Sequence, residues 1–122
     1  MIDSATAGEV RAHLDVEDRH TQPAGLVHGG VYCAIVETLA SVGASLTAGA
    51  DGRVAVGLEN HTSFLRPVRQ GTLDAVAHPV NRGRLTHLWE VLISDDRRRP
   101  VARGSLRLAI LDPQPVAQDP WS

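Results

Sequence analysis

Apolar and polar positions first alternate, then change period. Across residues 9–16, EVRAHLDV, Val10, Ala12, Leu14 and Val16 fall on one side, the period-two pattern of a strand with one covered face. The stretch 18–27, DRHTQPAGLV, is broken by Pro and Gly and reads as a loop. From His28 the period lengthens. Val31, Ile35, Leu39, Val42 and Leu46 recur at helical spacing and predict one long helix with that stripe inward. Gly49 and Asp51-Gly52 are its stop signals. Four strand-like runs follow, at 53–65, 73–80, 85–93 and 101–111. In the first of these Val54, Val56 and Leu58 share a face. Asn81-Arg82-Gly83-Arg84 marks a tight hairpin and SDDRRRP (94–100) a second turn. The tail DPQPVAQDPWS is proline-rich, so residues 113–122 predict a loose end.

The order strand, long helix, four strands joined by short turns predicts an α+β chain. Its antiparallel sheet wraps around one central helix. Glu37 lies opposite the predicted apolar stripe, on a side shared with Gly30, Cys33, Ser41 and Ala44. A solvated helix face would carry Lys, Glu and Gln there. A face so small and uncharged predicts a helix covered on both sides, once by its own sheet and once by a second copy.

The remaining composition narrows the class. The chain has 122 residues, 43% hydrophobic and 21% charged, which suits one globular domain over 1–122. A formal net charge of -2 argues against a general nucleic-acid binder. The chain has no lysine, and all its Lys-or-Arg positions are arginine; arginine suits bidentate phosphate or carboxylate recognition, but codon bias in a GC-rich genome gives the same result and is the preferred explanation. One cysteine, Cys33, excludes an intrachain disulfide. His61, His78 and His87 stand without a metal-type partner spacing, so no metal site is expected. The N-terminus lacks the basic start and apolar core of a signal peptide. The run 28–50 is long enough to cross a membrane, but Glu37 and its several Gly, Ser and Thr residues argue for a core helix. A cytoplasmic protein without membrane attachment is the expectation.

Gln22, Pro23, Gly25, His28-Gly29-Gly30, Glu37 and Ser41 together form the pattern Q-P-x-G-x-x-H-G-G-x₇-E-x-x-x-S. With VGLENHTSFLRPV, NRGRLTHLWEVLISDD and RPVARGSLRLAIL downstream, the chain resembles the hotdog-fold acyl-CoA thioesterases over nearly its whole length. Specifically, it resembles the branch that hydrolyses aromatic acyl-CoA such as 4-hydroxybenzoyl-CoA or 1,4-dihydroxy-2-naphthoyl-CoA. The resemblance implies that Glu37 is the catalytic carboxylate, as nucleophile or as general base for water. It further implies that Gly29 N–H stabilises the thioester oxygen, that Gln22 and His28 orient the thioester, and that Ser41 stands near the attacking water or acyl ring. The substrate would be a coenzyme A ester, no cofactor would be needed, and the unit would be a homodimer or a dimer of dimers. Related branches carry Asp where this chain has Glu37, and the chain sides with the Glu group. A hotdog dehydratase or hydratase and a non-catalytic acyl-CoA-binding module are the alternatives.

Physical chemistry agrees with those roles and adds a constraint. A helix start offers free N–H groups and partial positive charge, and glycines at 29 and 30 allow a ligand close to that backbone. Gly29 and Glu37 are eight positions apart, about 12 Å along one helix axis at ~1.5 Å per residue. Attack geometry needs about 3–3.5 Å. A second helix, antiparallel across a two-fold, would bring Glu37 of one chain to Gly29 of the other. For the coenzyme phosphates, Arg82 and Arg84 flanking Gly83, and Arg66 before Pro67, are candidates. The 97–99 arginines read as a solvated hairpin end. An apolar setting would raise the pKa of Glu37.

Overall fold

The computed structural model describes residues 1–113. Six strands and one long helix follow in the order β1 (Ile2–Ala5), β2 (Val10–Asp15), α1 (Gly29–Ala50), β3 (Val54–Phe64), β4 (Thr72–Arg82), β5 (Thr86–Ser94) and β6 (Pro100–Leu111). The strands form a single antiparallel sheet in the order β1-β2-β4-β5-β6-β3. The expected α+β arrangement of one helix on an antiparallel sheet is therefore present. β1 is an addition: IDSA is four residues long, exposed throughout and without alternation, so no periodicity announces it. The tail expectation, from residue 114 on, lies outside the described residues.

Small residues seat the helix on the sheet. A methyl group on Gly43 would come within 2.3 Å of the Trp89 ring, and one on Gly104 within 2.6 Å of Val36. Each glycine lets helix and sheet approach to direct contact. Trp89, Val91, Ile93, Leu106 and Leu108 are fully buried beneath α1, each contributing about 1.5–3 kcal/mol of transfer free energy as a large apolar side chain.

The buried stripe of α1 differs from the one the periodicity predicts. Tyr32, Val36, Leu39, Ala40, Gly43, Ala44 and Ala48 face the sheet. Val31, Ile35 and Val42 only flank the core, and Leu46 is 45% exposed. The two stripes share Leu39, and Ala44 moves from the uncharged side to the core. The physical reason is steric: close helix–sheet approach selects Gly and Ala, so the larger residues are displaced to the flanks. α1 also continues past Gly49 to Ala50, and Gly52, at φ 68°, makes the stop. The hairpin expected at 81–84 lies slightly later, at 83–85, since β4 runs through Arg82 and β5 begins at Thr86.

The two edges of the sheet are unequal. β1 is short, whereas β3 has 11 residues bonded on one side only, to β6. Val54, Val56 and Leu58, predicted to share a face, are 41%, 45% and 52% exposed. A bulge between Gly57 and Glu59 interrupts the register there.

Candidate active site

The start of α1 is built by a closed loop. Thr21 bridges Val27, Gln22 N–H donates to Leu26 O at 2.8 Å, and Gly25 N–H returns to Gln22 O at 2.8 Å. Gly25 sits at φ 83°, where only glycine is comfortable. The loop holds the Gln22 carboxamide: its Oε1 accepts from Ala24 N–H at 2.7 Å, which leaves the NH₂ as a free donor. His28 is the N-cap. Its Nδ1 accepts from Gly30 N–H at 2.9 Å. A backbone N–H only donates, so this ring's proton sits on Nε2, which is free to donate. Val31 N–H goes to His28 O at 2.9 Å. Gly29 N–H makes no hydrogen bond within the described residues and remains a donor at the positive end of the helix.

A cavity of about 460 Å³ opens here, lined by Gln22, His28, Gly29, Tyr32, Phe64 and Arg66 among others. Four of the sequence candidates thus meet at one place. Tyr32 and Phe64 were not among them. Their rings lie 5.9 Å apart, and Phe64 stands over Gly29, where a methyl group would sit 2.7 Å from its ring. Tyr32 is 3% exposed and its hydroxyl has no partner; burial pushes that phenol's pKa up. An apolar-looking helix position gives no warning of such a group.

The other candidates lie elsewhere. Glu37 is two turns further along α1, exposed in the single chain, against the edge strand. A methyl group on Gly57 of β3 would be 2.8 Å from its Oε1. The apolar enclosure expected around Glu37 is therefore not supplied by its own chain: the core residues of α1 point to the sheet instead. Ser41 follows one turn later, half-buried. Gly30 lies beside the cavity and is exposed. Arg82, Gly83 and Arg84 occupy the hairpin at the opposite end of the sheet. Arg82 donates to Ala7 O at 3.0 Å, Arg84 O accepts from Arg53 at 2.5 Å, and Leu85 O pairs with Ile110 N–H. The cavity instead adjoins Phe64, which pairs with Ala102 at the other end of β6.

A second cavity, about 480 Å³, runs along the far flank of α1. It is lined by Ile2, Leu14, Val31, Ile35, Thr38 and Leu73, with other mostly apolar residues from β2 and β4. Ala34 and Thr38 line it, and on the helical wheel Ser41 falls between these two and Glu37.

With this geometry in view, the sequence pattern of the thioesterase superfamily matches residues 24–102. The chain belongs to that superfamily. It is 39% identical over 102 residues, 84% of this chain and 74% of the relative, to the proofreading thioesterase EntH of Cronobacter sakazakii. A Mycobacterium tuberculosis protein assigned as an esterase, Rv1847, is 45% identical over 107 residues, covering 86% of this chain and 76% of that one. Its solved structure superposes with a TM-score of 0.90 over 94% of this chain and 93% of the other. The structure of thioesterase HI1161 from Haemophilus influenzae gives a TM-score of 0.85 at 33% identity, covering 91% and 77%. The fold is the hotdog fold, and the chain is a thioester hydrolase.

Proposed function

We propose that the protein is a cytoplasmic acyl-CoA thioesterase for a medium-sized, aromatic acyl group, working without a cofactor as a homodimer with two shared sites. One observation carries the reading. The free Gly29 N–H and the Glu37 carboxylate lie on one helix, two turns apart, both turned toward the edge strand β3. One chain cannot apply both to one carbonyl.

The edge strand supplies a solution. Gly29 faces Phe64, Cys33 O accepts from Asn60 Nδ2 at 2.9 Å, and Glu37 faces Gly57. Antiparallel pairing of β3 with its copy about a two-fold at His61, with the extra residue of the 57–59 bulge taken into account, sets Gly57 opposite Phe64 of the partner subunit. Glu37 then stands over the Gly29 cavity of the partner. The same pairing covers the exposed apolar residues of β3 and occupies an otherwise open sheet edge.

In that site the thioester oxygen takes hydrogen bonds from Gly29 N–H and, through Nε2, from His28, with the Gln22 NH₂ as a further donor. Glu37 takes a proton from water as it attacks the carbonyl carbon; alternatively its own oxygen attacks and water cleaves the anhydride. On the first route the tetrahedral intermediate collapses with loss of the CoA thiolate, which takes the proton held by Glu37. On the second the thiolate leaves as the anhydride forms and takes a proton from water, and hydrolysis of the anhydride follows. Both release the free acid. Ser41, one turn from Glu37, is placed for the attacking water or the ring. The 480 Å³ apolar cavity falls in the range of small-molecule pockets and suits the acyl group. Arg66, at the cavity mouth, is positioned for a phosphate. Arg82 and Arg84 could reach this site only from a partner.

Complementation tests the shared site. Gly29→Pro removes the donor N–H at a first helical position, where proline is tolerated; Phe64, 57% exposed, can swing aside. Glu37→Ala removes the carboxylate. Each variant alone should be nearly inactive on benzoyl-CoA. Mixed after dissociation and reassociation, they should recover about a quarter of wild-type turnover, because half the dimers then hold one intact site. No recovery in dimers shown to have exchanged would sink the shared-site reading.

A further inference from the structure

Packing accounts for the ring of Tyr32 but not for its hydroxyl. Two buried side-chain polar atoms among the described residues lack a hydrogen-bond partner, Tyr32 Oη and Thr47 Oγ1. Both belong to α1, one near each end, and Tyr32 is the one that lines the Gly29 cavity. Its ring is 3% exposed, belongs to the core cluster and lies 5.9 Å from the ring of Phe64. The oxygen adds nothing to that packing. A buried hydroxyl without a partner is destabilising, and phenylalanine would fill the same space without that cost.

Tyr32 is placed to reach the helix start. Long side chains on a helix lean back over the residues three and four before them, here Gly29 and His28, which line the same cavity. Burial pushes the Tyr32 pKa up, so at neutral pH the phenol keeps its proton and acts as a donor. Gly29 N–H and His28 Nε2–H match the two lone pairs of a carbonyl oxygen. When that carbon becomes tetrahedral, its oxygen gains negative charge and a third lone pair. In the free chain Phe64 covers this place, its ring over Gly29 and tilted 39° to Tyr32. Phe64 is 57% exposed, so its ring has open space to turn into when a substrate enters.

We propose that the Tyr32 hydroxyl donates the third hydrogen bond to the oxyanion formed at Gly29, which makes Tyr32 a further catalytic residue of thioester hydrolysis. This rests on the acyl-CoA reading above, with Gly29 as oxyanion donor. Tyr32 keeps its proton throughout. Its hydrogen bond strengthens as the carbonyl carbon is attacked and weakens when the thiolate leaves and the carboxyl group becomes planar. The Gln22 NH₂ is the competing donor for this position. That carboxamide sits on the loop before α1, anchored through Oε1 to Ala24 N–H. The phenol is held on the helix itself, between packed rings, and loses less freedom on bonding. A bond made only to the tetrahedral oxygen acts on turnover and not on substrate binding.

Tyr32→Phe removes the oxygen and keeps the ring. On benzoyl-CoA its kcat should fall about tenfold or more, toward the ~10²–10³ worth of one oxyanion donor, with KM within about threefold. Its melting temperature should hold or rise, because an unpartnered buried hydroxyl is gone. Two unreactive thioethers give a second readout. The ketone of S-trifluoroacetonyl-CoA hydrates to a tetrahedral carbon, whereas that of S-acetonyl-CoA stays planar. Tyr32→Phe should bind the first about tenfold more weakly and the second within about twofold of wild type. The chain has one tyrosine, so isotope-labelled tyrosine reports Tyr32 alone by NMR. Its ring-carbon signal beside the hydroxyl should move with the trifluoro ligand and not with its planar counterpart. The proposal is overturned if Tyr32→Phe keeps kcat within about twofold, which would assign the third position to Gln22. Equal weakening of both thioethers, or an unmoved tyrosine signal, overturns it as well. A wild type that hydrolyses no acyl-CoA would remove the thioesterase reading instead, and the tyrosine signal reads the phenol independently of it.

Discussion

The two flanks of α1 are made of different chemistry. Toward β3 lie Gly29, Cys33 and Glu37, against a strand with one open edge. Toward β1 and β2 lie Val31, Ile35 and Thr38, over a mostly apolar cavity roofed by the chain's own strands. The first flank has reactive groups and no cover. The second has cover and almost no reactive groups. On the proposed reading, a single helix separates the parts that act on a thioester from the parts that hold its acyl group, and only the first needs a second copy.

The largest expected effect tests the β3 flank. Glu37→Gln keeps the shape and removes the base. It should lower kcat on benzoyl-CoA by about 10²–10⁴, the usual worth of a positioned acid–base group, with dimer mass unchanged by light scattering. A kcat within tenfold of wild type would remove Glu37 from the chemistry.

A smaller effect, in specificity, is expected on the other flank. Ile35→Trp fills the apolar cavity. It should lower kcat/KM for benzoyl-CoA relative to acetyl-CoA by about 10–200-fold, the range that pocket shape achieves. A parallel fall for both esters would mean that the cavity does not hold the acyl group.

The smallest effect concerns what lies beneath both flanks. Trp89, packed at Gly43, donates through Nε1 to Nδ1 of buried His87 at 3.3 Å. Burial, aided by the Arg82 charge, lowers the pKa of His87. The folded chain therefore takes that proton less readily than the unfolded chain. The stabilisation is complete above the unfolded value, about 6.5, and is lost as pH falls below it toward the folded value. The melting temperature should drop modestly between pH 7 and 5, and His87→Gln should flatten that slope. An equal slope in the variant would assign the acid sensitivity to other groups.

Much of this was legible without coordinates because it depends on local chemistry. The 22-residue helix follows from an unbroken helix-compatible run with a stop at Gly52. The hairpins follow from their turn residues, whereas the Gln22–His28–Gly29 grouping came from the family resemblance, and the structure shows the loop that closes between Thr21 and Val27 to produce it. The inward face of α1 was misread because periodicity ranks residues by hydrophobicity, while the close contacts of Gly43 with Trp89 and of Val36 with Gly104 are set by fit against the sheet. Tyr32 and Phe64 were missed because their meeting depends on how β3 lies against α1. The 97–99 arginines do form an exposed turn, as read; that the turn lies beside Arg69 is a contact between segments nearly thirty residues apart.

The sequence by itself determined the elements and their order. It also placed the glycines of a helix start and a carboxylate on one helix at a spacing too long for both to serve a single carbonyl, since helix rise is fixed by backbone hydrogen bonds. Tertiary structure decided which way α1 rolls on its sheet, which strand is left open beside Glu37, and which arginines gather at the Gly29 end. Those choices arise from packing and strand order, which join residues distant in sequence and leave no periodic trace along the chain.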